Sequence, residues 1–293
     1  MGRLHCNKGF EYNLDDEKHT AEITRGHIGR CHSYRIPDHL FVDGIRYTVD
    51  SVGFGAYNYP RTLKHLIIPD SITYLDHDSF CDLPNLRSVH IGSNLQNINS
   101  WHFRICPKLR NITIDGDNPY MKKRGNLIIS ADGKLLMTSL WNCRQYIIPE
   151  GVEEIESVAF WYNTKLKDIV FPGSLRTIGD NSFSNLSEIE EIRFPEGVQT
   201  CICQSFMYCE KLRIIDFPST LKNLGWQTLA GCRSLETIIL RTDSLIDTHN
   251  LSDDFREVNI EKCTLCVPQH LVKSYRNHPH WGRFKKIKNI CTI

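Results

Sequence analysis

Apolar residues return along this chain with a fixed long period. The segments LKHLIIPDSITYL, LRSVHIGSNLQNI, LKDIVFPGSLRTI, IEEIRFPEGVQTC and LRIIDFPSTLKNL open at Leu63, Leu86, Leu166, Ile189 and Leu212. The steps Leu63 to Leu86 to Leu109, and Leu166 to Ile189 to Leu212 to Leu235, are each 23 residues. Pro149, Pro172, Pro195 and Pro218 keep the same step, and a segment out of phase, residues 115–141, interrupts the array. Within a unit, positions 1, 4, 6, 10 and 13 are apolar and position 18 is aromatic, as in Leu63, Leu66, Ile68, Ile72, Leu75 and Phe80. Phe103, Phe160, Phe183 and Phe206 share that last phase, and Leu229 replaces the ring in one copy.

Positions 1, 4 and 6 predict a short strand with one buried edge. A proline at position 7 has no N–H to donate and ends its ladder. Positions 10 and 13 predict a second extended piece, after which Gly-Asp-Asn-Ser-Phe183 bends the chain so that the ring points inward. One such unit cannot bury its apolar face alone, so neighbours must stack, and the chain is expected to be a β-rich solenoid of 23-residue coils.

The pattern L-x-x-I-x-I/F-P-x-x-V/L-x-x-I-G-x-x-x-F resembles the BspA-like branch of the leucine-rich repeats, over roughly residues 49–241. YRIPDHLFVDGIRYTVDSVGFGAY resembles the family's opening unit with a hairpin, NPYMKKRGNLIISADGKLLM its common insertion, and CTLCVPQHLVKSYRNHPHWGRFKKI its closing strand and helix. The resemblance implies short strands on a concave side, with turns or short helical segments elsewhere. It also implies three parts: an N-terminal cap with a hairpin over residues 1–48, the array over 49–241 with the insertion at about 115–141, and a closing segment over 242–293 in which Leu271 and Tyr275 face inward on a short helix. Family members are mostly bacterial or protozoan surface or secreted proteins. The implied role is therefore adhesion or protein–protein binding at a cell surface.

Composition narrows the function. Lys and Arg number 35 against 34 Asp and Glu, a net charge of +1, which opposes a global field built for nucleic acid or membrane surfaces. No stretch approaches the length of a membrane span, and the first 20 residues lack an apolar signal core. The expectation is a monomer that binds a protein or other macromolecule, without nucleic acid, membrane insertion, cofactor or metal. The resemblance places it outside the cell, while free thiols would suit a reducing compartment.

Twelve cysteines are the first candidate chemistry. Cys106, Cys209 and Cys232 fall at the slot where Leu83 and Leu186 stand in other copies, which marks them as small buried hydrophobes. Cys263-Thr-Leu-Cys266, with His270, His278 and His280 nearby, has the spacing of a zinc or redox pair. Its surroundings are rich in β-formers, however, and a strand would turn residues three apart to opposite faces. Cys31-His32 and His102 near Cys106 are Cys/His pairs of the kind chance supplies, and no nucleophile elbow, phosphate loop or zincin motif is present. An enzyme is not expected.

Position 2 of successive units reads Lys64, Arg87, Arg110, Arg144, Lys167, Glu190, Arg213 and Glu236, a row that stacking would turn into a cationic stripe. Alternation sends positions 3 and 5 outward: His65 and Ile67, Ser88 and His90, Asn111 and Thr113, and so on to Ile214 and Asp216, Thr237 and Ile239. The cluster with the strongest mixture of imidazole, apolar and cationic groups is His65, Ile67, Ser88 and His90 beside Lys64 and Arg87, which is the expected binding face. An alternative is a carbohydrate platform on an aromatic rim of Trp101, Trp161, Tyr162 and Trp226, which occupy slots held by polar residues in other copies.

Overall fold

The computed structural model describes residues 3–57, 60–103, 105–140, 143–246 and 254–290; residue 141, at the end of the expected insertion, and residues 247–253 of the closing segment lie outside them. The chain forms two compact units, Met1–Ala131 with Met137–Trp141, and Asp132–Leu136 with Asn142–Ile293.

The first unit begins with an antiparallel meander, Arg3–Asn7, Phe10–Asp15 and Thr20–Gly26. A hairpin follows, His39–Val42 against Ile45–Val52. Its two-residue turn places Asp43 at φ 53° and Gly44 at φ 80°, the pair of positive φ values that matches the twist of two antiparallel strands. Coils then supply Ser33–Arg35, His65–Ile68, Ser88–Ile91 and Asn111–Ile114 to one parallel four-stranded sheet. The inserted segment contains the hairpin Met121–Arg124 with Leu127–Ser130.

In the second unit the coil strands are Gln145–Ile147 paired with Asp168–Val170, and a five-stranded parallel sheet of Glu191–Arg193, Ile214–Phe217, Thr237–Leu240, Thr264–Val267 and Lys286–Asn289. Two-residue strands Glu154–Ile155, Thr177–Ile178, Thr200–Cys201 and Asn223–Leu224 run parallel on another side of the same coils. Every partner in that ladder lies one repeat along the chain, as Ile155 to Ile178 to Cys201 to Leu224. Leu271 ends a 3-10 turn and Tyr275 sits on the helix Val272–Asn277; both are buried. The parallel strand Lys286–Asn289 beyond them was not anticipated from the sequence.

The third side of each coil is held by single hydrogen bonds instead of a strand. The N–H groups of Phe160, Phe183 and Phe206 donate to Ser182, Ser205 and Thr228 of the next coil at 2.8, 2.8 and 3.0 Å. Two residues before each ring, Val158, Asn181 and Gln204 take φ of 58°, 51° and 56°, and two residues after it Tyr162, Asn185 and Tyr208 take 61°, 61° and 60°. These left-handed residues turn their own N–H groups to the next coil too. Inside, the rings stack: Phe160 on Phe183 at 4.9 Å and Phe183 on Phe206 at 5.4 Å, nearly parallel. In the first unit Tyr57, Phe80 and Phe103 form the same column. Leu229, at the ring position of the last such coil, is also fully buried. The fold is a leucine-rich-repeat solenoid of 23-residue coils, with strands on the sheet side and turns elsewhere.

Candidate binding face

In the first unit, register aligns Ser33, His65, Ser88 and Asn111 in one row of the sheet and Arg35, Ile67, His90 and Thr113 in the next. Their neighbours Leu66, Ile68, Val89 and Ile91 are buried, so both rows face outward. The Nδ1 of His65 lies 2.8 Å from the Ser88 hydroxyl, and that of His90 lies 3.0 Å from the Thr113 hydroxyl. Each ring is thereby fixed across to the next coil. Lys123, from the inserted hairpin, donates to the Asn111 side-chain carbonyl at 3.1 Å. Ile67 and His90 are half-buried and neighbours in register.

Cations border this face with little acid to balance them. Lys64 and Arg87 make no ion pair among the described residues, whereas Arg110 turns back to donate to the carbonyls of Pro107 and Leu109. Arg35 pairs with Asp38 at 3.1 Å. At the border, Asp70 accepts the Ser93 N–H, which with the nearby charges of Arg35 and His90 holds its carboxyl below the usual range. His65, Ile67, Ser88 and His90 of the expected cluster therefore lie on one sheet, and Lys64 and Arg87 immediately precede its strands.

The cationic stripe does not continue in the second unit. Lys167 and Lys211 both approach Glu188, at 3.6 and 2.6 Å, and Arg213 grips Glu236 through two nitrogens at 3.1 and 2.9 Å. Acid one coil away cancels Lys167 and Arg213, while Arg144 makes no ion pair among the described residues. The outward alternation also fails at its end: Asp216, Ile239 and Cys266 share one row and are 5%, 4% and 1% exposed. Asp216 is clamped by Arg193 at 3.2 Å and by Arg241 at 2.8 and 2.7 Å, so the guanidinium groups close over it. By contrast, Ile147 and Val170 are paired in register and well exposed.

The aromatic rim is dispersed. Trp101 belongs to the first unit, where it is half-buried against His77 at 6.5 Å. In the second unit Trp161 and Tyr162 touch at 5.0 Å, with Tyr162 more than half exposed, while Trp226 is exposed three coils further along.

The three thiols of the repeat slot are structural. Cys106, Cys209 and Cys232 are fully buried, and each Sγ donates to the carbonyl of the preceding coil's ring residue, Phe80, Phe183 and Phe206, at 3.5, 3.1 and 3.2 Å. Burial pushes the Cys106 and Cys209 thiols up to about 12 and that of Cys232 well above its ordinary value. His102 accepts the Asn99 N–H at Nδ1 and faces the Leu75 carbonyl with Nε2 at 3.2 Å, so neither nitrogen serves Cys106 as a base. Cys263 and Cys266, expected to point to opposite faces, are both buried, because both sides of the Thr264–Val267 strand are covered. Burial raises both thiols. His270 faces the Asp243 carbonyl, and Nδ1 of His278 accepts the N–H groups of His280 and Trp281. Among the described residues no cluster of His, Cys, Asp and Glu is arranged to hold a metal.

Stacked coils with a polar sheet face define a repeat scaffold, a class commonly used for macromolecular interaction. A family profile for the BspA type leucine rich repeat region matches six copies over residues 45–124 and 137–254, and the chain belongs to that family. No curated protein matches it. Among solved structures it is similar to the pneumococcal vaccine antigen PcpA, at 16% identity and a TM-score of 0.62 over 99% of both chains. It is also similar to a leucine-rich repeat protein from Eubacterium ventriosum, at 14% identity and a TM-score of 0.59 over 89% of this chain and 82% of that one. A third, from Bacteroides ovatus, gives 18% identity and a TM-score of 0.55 over 99% and 77%. At these identities the likeness is one of fold. No helix among the described residues is long and apolar enough to cross a membrane.

Proposed function

We propose that this protein is a non-enzymatic binding protein that takes an acidic segment of a partner protein on the sheet face of its first unit. The observation that carries this reading is the registered cluster of His65, Ile67, Ser88 and His90 beside Lys64 and Arg87, cations that no carboxylate among the described residues neutralises. Such a face attracts acidic side chains at long range, and Ile67 supplies an apolar contact at its centre. A surface adhesion role fits the family and the likeness to a vaccine antigen. The test uses a fluorescein-labelled Glu-rich peptide and the double substitution Ile67→Glu with His90→Asp. Neither side chain enters the core, so the thermal midpoint should hold within a few degrees. Affinity should fall by about 30-fold, roughly 2 kcal/mol, and wild-type binding should weaken with added salt. Unchanged affinity would move the site off this face.

A second reading, a carbohydrate platform, is favoured by the Trp161–Tyr162 pair, where an exposed ring lies against an indole at 5.0 Å. Glycan-array binding lost on Tyr162→Ala and kept in the double variant would support it instead.

A further inference from the structure

The strand Ser33–Arg35 ends the parallel sheet of the first unit, paired on one side only. The His32 carbonyl accepts the N–H groups of Lys64 and His65 at 2.8 and 3.0 Å, and the Ile36 N–H donates to the Ile67 carbonyl at 3.0 Å. Backbone groups alternate along a strand, so residues 32, 34 and 36 address the neighbouring strand. The N–H and C=O groups of Ser33 and Arg35 therefore point the other way, where the sheet has no further strand among the described residues.

Beside this edge lies an open cleft of about 460 Å³. Lys8 and Phe10 at the tip of the first hairpin line it together with Tyr34, Arg35 and Phe41. Phe10 stacks on Tyr34 at 6.1 Å with the planes 9° apart, so these two rings form a preformed wall. Phe41 is 60% exposed, braced at 5.5 Å by the edge of His39. Lys8 is exposed at the rim and makes no ion pair among the described residues.

We infer that this cleft and edge form a second binding site, for an extended peptide segment carrying a large apolar side chain and a neighbouring acidic residue. Donors and acceptors spaced as on Ser33 and Arg35 are matched by another extended main chain, which adds itself as a strand. A side chain projecting from that strand enters between Phe10 and Phe41, and a carboxylate one residue away meets Lys8. The edge is only three residues long and Pro37 follows it, which limits the added strand to a short one and guards against open-ended pairing. The site is independent of the acidic-segment face, because it uses a sheet edge and the cap.

The experiment uses the full chain and a fixed set of capped eight-residue peptides that alternate Phe or Leu with Thr and carry Glu beside each apolar residue, read by fluorescence polarisation. Members of the set should bind with Kd below about 1 mM, and Phe41→Ala should weaken them about tenfold. Ser33→Pro, which removes a donor on the open side alone, should do the same. Methylating peptide amides in one alternating register should abolish binding, while methylating the other register should not. Phe41→Ala should weaken these peptides by the same factor in the wild type and in the Ile67→Glu, His90→Asp variant, which separates this site from the sheet face. Binding that ignores both Phe41→Ala and amide methylation would overturn the inference, as would the absence of binding throughout the set.

Discussion

The imidazole of His102 is 3% exposed and has both nitrogens against backbone groups, so a proton on it would lose water and a hydrogen bond together. Burial is the larger effect and pulls its pKa down to about 4 from an ordinary value near 6.5. The unfolded chain therefore takes up a proton as pH falls through about 6.5, while the folded chain does so only near 4. Stability is complete above that window and should decline across it by about 3 kcal/mol in all. Urea unfolding at pH 7 and pH 4.5 should show the decline, and His102→Gln should flatten it even if the variant is less stable throughout. Phe183 makes the complementary case for packing, being fully buried between Phe160 and Phe206. Phe183→Ala should cost about 3 to 5 kcal/mol in the same unfolding measurement, because the coils on either side cannot close the gap. Its burial was legible from phase alone. The hydrogen bonds of His102 were not, since His102 stands where other copies have Ser182 or Ser205, and nothing in that alternation announces an acceptor.

At the scale of the coil, the bends around Phe80, Phe160, Phe183 and Phe206 depend on left-handed residues two before and two after each ring, while at Phe103 Ile105, two after, takes that conformation. The sequence marks a bend there but not its conformation, because the residues that adopt it, from Asp78 and Asn181 to Gln204 and Tyr208, share no side-chain chemistry. What they share is the need to turn an N–H to the next coil. Ile105 takes φ 57° although it is β-branched, and its side chain is more than half exposed. Such a conformation costs a β-branched residue of order 1–3 kcal/mol with little burial to offset it. Asn185 holds the equivalent position without that conflict. Ile105→Asn should raise stability by about 1 kcal/mol in denaturant unfolding. Amide side chains at the other left-handed slot form their own ladder, Asn181 to Gln204 at 2.9 Å and Gln204 to Gln227 at 2.7 Å, which links successive bends.

At the scale of the whole molecule, each coil leans on its nearest neighbours, and stability accumulates along the array. Deleting residues 189–211 joins Glu188 to Leu212 in unchanged register. The shortened chain should keep its circular dichroism shape, unfold with a smaller denaturant slope in proportion to the surface lost, and have a lower midpoint. Loss of all cooperative unfolding would show that coils in the second unit do not act as exchangeable repeats. The sequence alone determined the 23-residue period, the strand and ring positions, and the burial of Cys106, Cys209 and Cys232, because each follows from a local rule repeated in phase. It also placed His65, Ile67, Ser88 and His90 on one face, since alternation within a strand and stacking in register need no further information. Only the tertiary structure decided which outward positions stay open. Asp216 and Ile239 obey the same alternation yet are closed over, and Arg213 is neutralised by Glu236 one coil away while Lys64 and Arg87 have no ion pair among the described residues. The physical reason is that an inward side chain answers to its own coil's period, whereas the exposure and charge of an outward one are set by what neighbouring coils and the chain beyond them bring alongside it.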